Sequence, residues 1–125
     1  MGNVRETLQA ALTVEGALGV ALGEWKTGMC LGLAGTDSPN FPTEKLELAI
    51  AGNTEVIRAK IRVAQSLKLN TRIEDILITI TNQYHLIRLT QAVEGLFFYL
   101  ALDREKGNLA LARFKLVQLE KHLVI

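Results

Sequence analysis

The sequence predicts an α+β fold in which one antiparallel sheet is covered by helices on both faces. Three segments repeat apolar residues at helical spacing, and five shorter segments have the alternation or the β-branched and aromatic composition of strands. The last of these strands, residues 96–102, is apolar on both faces and therefore needs a covering layer on each side. The predicted element order is α-β-β-α-β-β-β-α, in a single domain spanning residues 1–125.

The first helix begins near Asn3, which stands three residues before Glu6 in the spacing of a capping box. Its apolar face is formed by Val4, Leu8, Ala11 and Leu12. We predict that Gly16, the second residue of a Glu-Gly pair, ends the segment.

The first two strands form a predicted hairpin, residues 17–25 and 29–34, joined by a turn at Gly28. In the first strand Leu18, Val20 and Leu22 should point to one face. The other face carries only Ala17, Gly19, Ala21 and Gly23, and such a small face lets a helix approach closely.

A long helix is predicted over residues 44–68, after a loop at 35–42 that holds both prolines, with Thr43 as its N-cap. Its apolar residues form two adjacent lines: Leu46, Ile50, Ile57, Ile61 and Ala64 in one, and Ala49, Val56, Val63 and Leu67 in the other. This arc is wider than contact with one sheet requires. Gly52 costs helix stability, and we expect a close contact or a slight break to explain it.

The remaining strands are predicted at residues 73–81, 84–89 and 96–102, and the final helix follows Gly107 and Asn108. In the third strand Ile76, Ile78 and Ile80 should share one face. The final helix has an apolar stripe formed by Leu109, Ala112, Leu116, Leu119 and Leu123.

Composition excludes several classes of protein. The chain has 14 basic and 13 acidic residues, which gives no electrostatic footprint for nucleic acid. Charges interrupt every apolar run, so no membrane insertion is predicted, and Glu6 and Glu15 break the run that a secretion signal would need. The single cysteine, Cys30, cannot form an internal disulfide. We therefore expect a cytoplasmic protein.

The sequence argues against an enzyme. It has no phosphate-binding loop motif, and Cys30, His85 and His122 are not spaced as metal ligands. His85 beside Tyr84 could act in acid–base chemistry, but a hydrogen-bonded strand histidine is the favoured interpretation. We predict no catalytic residue, no cofactor and no metal site.

Two features predict self-association: the wide apolar arc of the long helix, and a third strand that has neither proline nor lysine to block edge pairing. Another part of the same chain could instead cover this edge. The predicted contact residues of a homodimer are Ile73, Asp75, Ile76, Leu77, Ile78, Thr79, Ile80 and Thr81 from the strand, with Ile50, Ile57 and Ile61 from the helix. Arg58, Lys60 and Arg62 could recognise an acidic partner, or could form an ordinary solvated face.

The order of elements and several apolar and glycine patterns resemble the roadblock family, the relatives of dynein light chains. The resemblance lies in Val14-Glu-Gly-Ala-Leu-Gly-Val-Ala-Leu with Gly28-Met-Cys-Leu-Gly, and in Gly95-Leu-Phe-Phe-Tyr-Leu-Ala-Leu-Asp-Arg followed by Asn108-Leu-Ala-Leu-Ala-Arg. It covers nearly the whole chain, and its motifs carry no catalytic signature.

The resemblance implies a profilin-like, five-stranded sheet with the long helix on one face and both terminal helices on the other. It also implies a homodimer in which two third strands pair at the centre of a ten-stranded sheet. Family members are scaffolds or partners of Ras-like small GTPases rather than enzymes. The expected function is thus a non-catalytic homodimeric adaptor for a small GTPase or signalling complex. The alternative is a small-molecule sensing domain of similar layered architecture, and an enzyme using His85 and Tyr84 is a third hypothesis.

Overall fold

The structure is a computed structural model that describes residues 2–125. Its elements are α1 (Val4–Ala11), β1 (Ala17–Glu24), β2 (Met29–Gly35), α2 (Lys45–Ser66), β3 (Asp75–Ile80), β4 (Gln83–Leu89), β5 (Leu96–Asp103) and α3 (Leu109–Lys121). The predicted order of three helices and five strands is confirmed, and each strand lies within two residues of its predicted bounds. No helix among residues 2–125 is both long and apolar enough to cross a membrane.

All five strands form one antiparallel sheet in the order β2-β1-β5-β4-β3. The central strand is β5, and every residue from Leu96 to Leu102 is buried. This explains why the segment is apolar on both faces, as the sequence analysis predicted. The two edges of the sheet are β2 and β3.

The sheet separates two hydrophobic cores, one on each face. Between the sheet and the terminal helices, Leu8 of α1 and Leu116 of α3 pack on Val20, Leu86 and Leu100. Between the sheet and α2 lies the second core, which is formed by Leu18, Ala21, Phe41, Leu46, Ile50, Ile57, Ile87, Phe97, Tyr99 and Ala101. The layering implied by the roadblock resemblance is thus confirmed.

The small face of β1 does receive α2, as predicted. A Cβ atom added at Gly19 would lie 3.1 Å from Leu46, and one added at Gly23 would lie 2.8 Å from Ile50. The start of the strand differs from the prediction, because the pairing with β5 is irregular between Ala17 and Gly19. This bulge turns Leu18 towards α2 and Ala17 towards the terminal helices.

Asn3 is the N-cap residue of α1, as predicted, but the predicted capping box and the Thr43 cap of α2 are wrong. The side chain of Asn3 makes no capping bond to α1; its Oδ1 accepts from the Val124 N–H at 2.7 Å, and its Nδ2 donates to the His122 carbonyl at 2.7 Å. These two hydrogen bonds of Asn3 therefore connect the start of α1 to the segment after α3. The residue before α2 is Glu44 rather than Thr43, and it makes no side-chain capping bond either.

A buried ion pair connects α3 to the sheet. The Arg88 Nε atom donates to Glu120 Oε1 at 3.1 Å, and Glu120 Oε2 accepts from the backbone N–H groups of Gln91 and Ala92 at 2.6 and 3.0 Å. The carboxylate thereby fixes the connection between β4 and β5, and a buried charge with these partners is fully compensated.

Candidate protein-interaction surface

The edge strand β3 offers unpaired backbone groups. The Leu89 N–H donates to the Glu74 carbonyl at 3.0 Å, and the β3–β4 register pairs Ile80 with Gln83. Because hydrogen-bonded pairs alternate along an antiparallel ladder, the even-numbered residues of β3 direct their backbone groups towards β4. The backbone groups of Asp75, Leu77 and Thr79 therefore point away from the sheet.

The side chains of β3 divide between the two faces as predicted. Ile76 and Ile78 pack half-buried against the α2 core, and Ile80 is 41% exposed. On the opposite face, Leu77 packs against the other core. Asp75 accepts two hydrogen bonds from the Arg113 guanidinium of α3, at 3.0 and 3.2 Å, so its charge is neutralised.

Two of the predicted contact residues, Ile73 and Thr81, lie outside β3. Ile73 precedes the strand and is half-buried, and Thr81 lies in the turn that leads into β4. The prediction of the strand was therefore too long by two residues at the start and one at the end. The free edge extends from Asp75 to Ile80.

The predicted contact residues Ile50 and Ile57 are wrong. Both side chains are 0% exposed in the core beneath α2, so neither can meet a second chain. The third predicted helix residue, Ile61, is half-buried against the same core. The predicted contacts lie on the line of α2 that faces the sheet, and the adjacent line is more exposed.

The free line of α2 is the adjacent one, which we call the α2 flank: Ala49, Val56, Val63 and Leu67. Val63 is 47% exposed and Leu67 is 63% exposed. Arg58 and Glu47 lie on the side of α2 opposite to the flank. Arg58 contacts the β1–β2 turn, and the Glu47 carboxylate acts electrostatically on Cys30 of β2. The α2 flank therefore faces the side of the sheet that ends in β3.

Gly52 lies beside the α2 flank in an unbroken helix. A Cβ atom added there would meet nothing within 4 Å. The expected close contact or break within the chain is therefore wrong. Because Gly52 has no side chain, the surface of α2 is recessed at this point.

The Arg58 guanidinium makes its hydrogen bonds within the chain. Its guanidinium donates to the backbone carbonyl of Trp25 at 3.0 Å and to that of Lys26, and it lies 3.5 Å from the Glu55 carboxylate. It therefore holds the β1–β2 turn against α2, while 35% of its side chain stays exposed, and its recognition of a partner stays a prediction. Lys60 and Arg62 are exposed.

His85 and Tyr84 do not form a catalytic pair, because neighbouring residues of a strand point to opposite faces. His85 lies between Phe41 and Tyr99, with ring centroids 6.0 and 5.5 Å away, and its Nε2 is 2.8 Å from Gln83 Oε1. Burial lowers the pKa of His85 and raises that of Tyr99. The favoured interpretation, a hydrogen-bonded strand histidine, is confirmed.

Two surface cavities bear on the small-molecule alternative. The smaller, about 270 Å³, lies beside Trp25, Ile61 and Leu89, and its volume is below the usual range for ligand pockets. The larger, about 580 Å³, is lined by Leu18 and by seven polar or charged residues. Neither combines the size and apolar lining expected of a sensing pocket. Within residues 2–125, no group of three or more His, Cys, Asp or Glu could hold a metal.

A five-stranded antiparallel sheet with one long helix on one face and two terminal helices on the other is the fold of the roadblock class, and solved structures of that class match this chain. A Roadblock/LC7 domain from Streptomyces avermitilis is similar with a TM-score of 0.77 and 10% identity, covering 94% of this chain and 91% of that one. A structure of MglB with tetrameric arrangement has a TM-score of 0.80 and 18% identity, over 96% and 84%.

The gliding protein MglB from Thermus thermophilus is similar with a TM-score of 0.72 and 18% identity, covering 95% of this chain and 89% of that one. Comparison of the sequence with protein-family models and with curated proteins finds no match. The chain therefore has the roadblock fold, and this is established by its structure.

Proposed function

We propose that this chain is a non-catalytic homodimeric adaptor that binds a Ras-like small GTPase or a related signalling complex. The observation that carries the proposal is the free β3 edge, where the backbone groups of Asp75, Leu77 and Thr79 point outward and the Ile80 side chain is 41% exposed. An unprotected edge strand is a template for pairing with another chain. The tetrameric arrangement of the similar MglB supports self-association in this fold.

The outward groups restrict how two copies can pair. In an antiparallel pair, Asp75, Leu77 and Thr79 can exchange hydrogen bonds only with the same three residues of the second copy. The register that uses all three residues pairs Asp75 with Thr79 of the second copy and Leu77 with its equivalent, so a twofold axis perpendicular to the sheet passes between the two Leu77 residues. In this arrangement the isoleucines of β3 and the α2 helices of the two copies lie on one face.

The α2 flank would complete this dimer. Pairing through β3 brings the exposed sides of Val63 and Leu67 towards the same region of the second copy. The open surface at Gly52 permits a close approach of the helices there. The opposite sheet edge is a poorer template, because β2 has a register irregularity opposite Leu22 and Gly23.

The GTPase partner is proposed on the roadblock resemblance, together with the structural similarity to MglB. The test is a titration of the chain against Ras-like GTPases encoded in the same genome, each loaded with GDP and with a non-hydrolysable GTP analogue. We expect one of them to bind with a clear preference for one nucleotide state. Failure of all of them to bind in either state would contradict the proposed partner. A cytoplasmic location remains a prediction from the sequence.

A further inference from the structure

Helix α3 is apolar on its outer side as well as its inner side. Its inner side packs Ala112 and Leu116 into the core, both 0% exposed. On its outer side Leu111 is 59% exposed and Phe114 is 62% exposed. A surface helix normally places polar residues outward, and a helix apolar on all sides is normally covered on all sides.

The acidic residue of α3 lies on its inner side. Glu120 is 5% exposed and pairs with Arg88, so the outer side of α3 has no carboxylate. Lys121 is exposed and Lys115 is half-buried. Within α3 itself, the exposed apolar residues are therefore accompanied by lysines and by no exposed carboxylate.

Leu111, Phe114 and Val117 follow one another at intervals of three residues, and we call them the α3 ridge. Such rows form the ridges that pack into the grooves of another helix. Arg113 reaches Asp75 of β3 from the same side of α3 as Val117, so this side of the ridge faces the β3 edge. Beside the α3 ridge, the surface of the sheet is formed by Leu77, which is half-buried, and by Thr79, which is exposed.

We propose that the α3 ridge is a docking site for an amphipathic helix of a protein partner, with acidic residues beside the apolar stripe of that helix. The spacing of Leu111, Phe114 and Val117 fits a helical groove, and the lysines complement acidic flanks. This surface lies on the opposite face of the sheet from α2, so it goes beyond the proposed dimer and its GTPase. A lipid surface fits less well, because the larger apolar side of α3 is buried in the core.

The test uses two synthetic helical peptides of about 18 residues, long enough to form a helix on binding. Both carry the same leucine stripe, and the flanking positions are glutamate in one and lysine in the other. Fluorescence anisotropy with the full-length chain should show the glutamate peptide binding about tenfold more tightly than the lysine peptide, and more weakly at high salt. Amide NMR shifts should map to α3.

Variants separate the α3 ridge from other exposed apolar residues. The double substitution Leu111→Ser with Phe114→Ser should reduce affinity for the glutamate peptide about tenfold or more, since aromatic anchors dominate such interfaces. The matched control is Leu48→Ser, a leucine of α2 that is 74% exposed, and it should leave the affinity unchanged. Lys115→Glu with Lys121→Glu should reverse the preference between the peptides.

Several results would overturn the proposal: no binding of the glutamate peptide, equal affinity for both peptides, or the same loss with Leu48→Ser. Binding to vesicles of phosphatidylglycerol and phosphatidylcholine without peptide binding would identify a lipid surface instead. A changed oligomeric state in the Leu111→Ser, Phe114→Ser variant would show that a second copy covers the ridge. Sedimentation tests the proposed dimer, and the nucleotide-state titration tests GTPase binding. A negative result in either experiment leaves the peptide result independent.

Discussion

At the scale of single residues, a few polar side chains hold together elements that the apolar pattern does not connect. The Arg88–Glu120 pair and the Arg58 contacts to the β1–β2 turn join segments that are far apart in the sequence. No periodic pattern marks such residues, because their partners come from other elements. This is why the sequence did not reveal that Arg58 holds the β1–β2 turn against α2.

Removing the Glu120 carboxylate should destabilise the protein strongly. In Glu120→Ala the Arg88 guanidinium stays buried without a partner, and two backbone N–H groups lose their acceptor. We expect the free energy of unfolding to fall by about 3 to 5 kcal/mol. Urea denaturation measures this, with Glu105→Ala at an exposed position as the control. A loss below about 1 kcal/mol would contradict the role of the pair.

His85 should make stability depend on pH in the weakly acidic range. Burial lowers its pKa below the ordinary 6.5, so below that pH the unfolded chain binds a proton that the folded chain resists. The His85 contribution to stability is complete above about pH 6.5 and is lost as the pH falls through the folded-state pKa. Unfolding free energies measured between neutral and weakly acidic pH test this.

The variant His85→Phe keeps an aromatic ring between Phe41 and Tyr99 and removes the titrating group. Its stability should therefore depend less on pH than that of the unmodified chain. His122→Gln, at an exposed position, should retain the full dependence. Identical pH profiles for the unmodified chain and His85→Phe would show that His85 does not contribute.

At the scale of elements, the sequence was sufficient to locate every helix and strand, because apolar periodicity reports local structure. It identified both apolar lines of α2 but assigned the dimer contact to Ile50 and Ile57, which are buried in the core. Periodicity shows that an arc is wide, but it does not show which part of the arc the sheet covers. The bulge at Ala17 was missed because it depends on pairing with β5.

The α2 flank gives a prediction at this scale. Val56 is half-buried on the flank, and in the proposed dimer Val56→Glu would place a charge between the two α2 helices. We expect the dimer dissociation constant to rise about tenfold or more, measured by sedimentation equilibrium. Leu48→Glu, on the outer side of α2, is the control and should have no effect. Equal dissociation constants for the unmodified chain and Val56→Glu would exclude the α2 flank from the interface.

At the scale of the whole molecule, one sheet separates two hydrophobic cores, and its β3 edge is unprotected. The layering was predictable, since a strand apolar on both faces requires two covers. The partner was not predictable, because ordinary apolar residues on a surface carry no motif that identifies what they bind. The central proposal is that β3 of one copy pairs with β3 of another.

The most direct test of that pairing is sedimentation of Thr79→Pro. The backbone N–H of Thr79 points away from β4, so proline removes an outward donor without breaking a hydrogen bond inside the chain. The unmodified chain and the control Thr79→Val should be dimers. Loss of the two symmetric hydrogen bonds should raise the dissociation constant of Thr79→Pro about thirtyfold, giving a folded monomer. A Thr79→Pro variant that remains as dimeric as the unmodified chain, or an unmodified chain that is monomeric, would contradict the account.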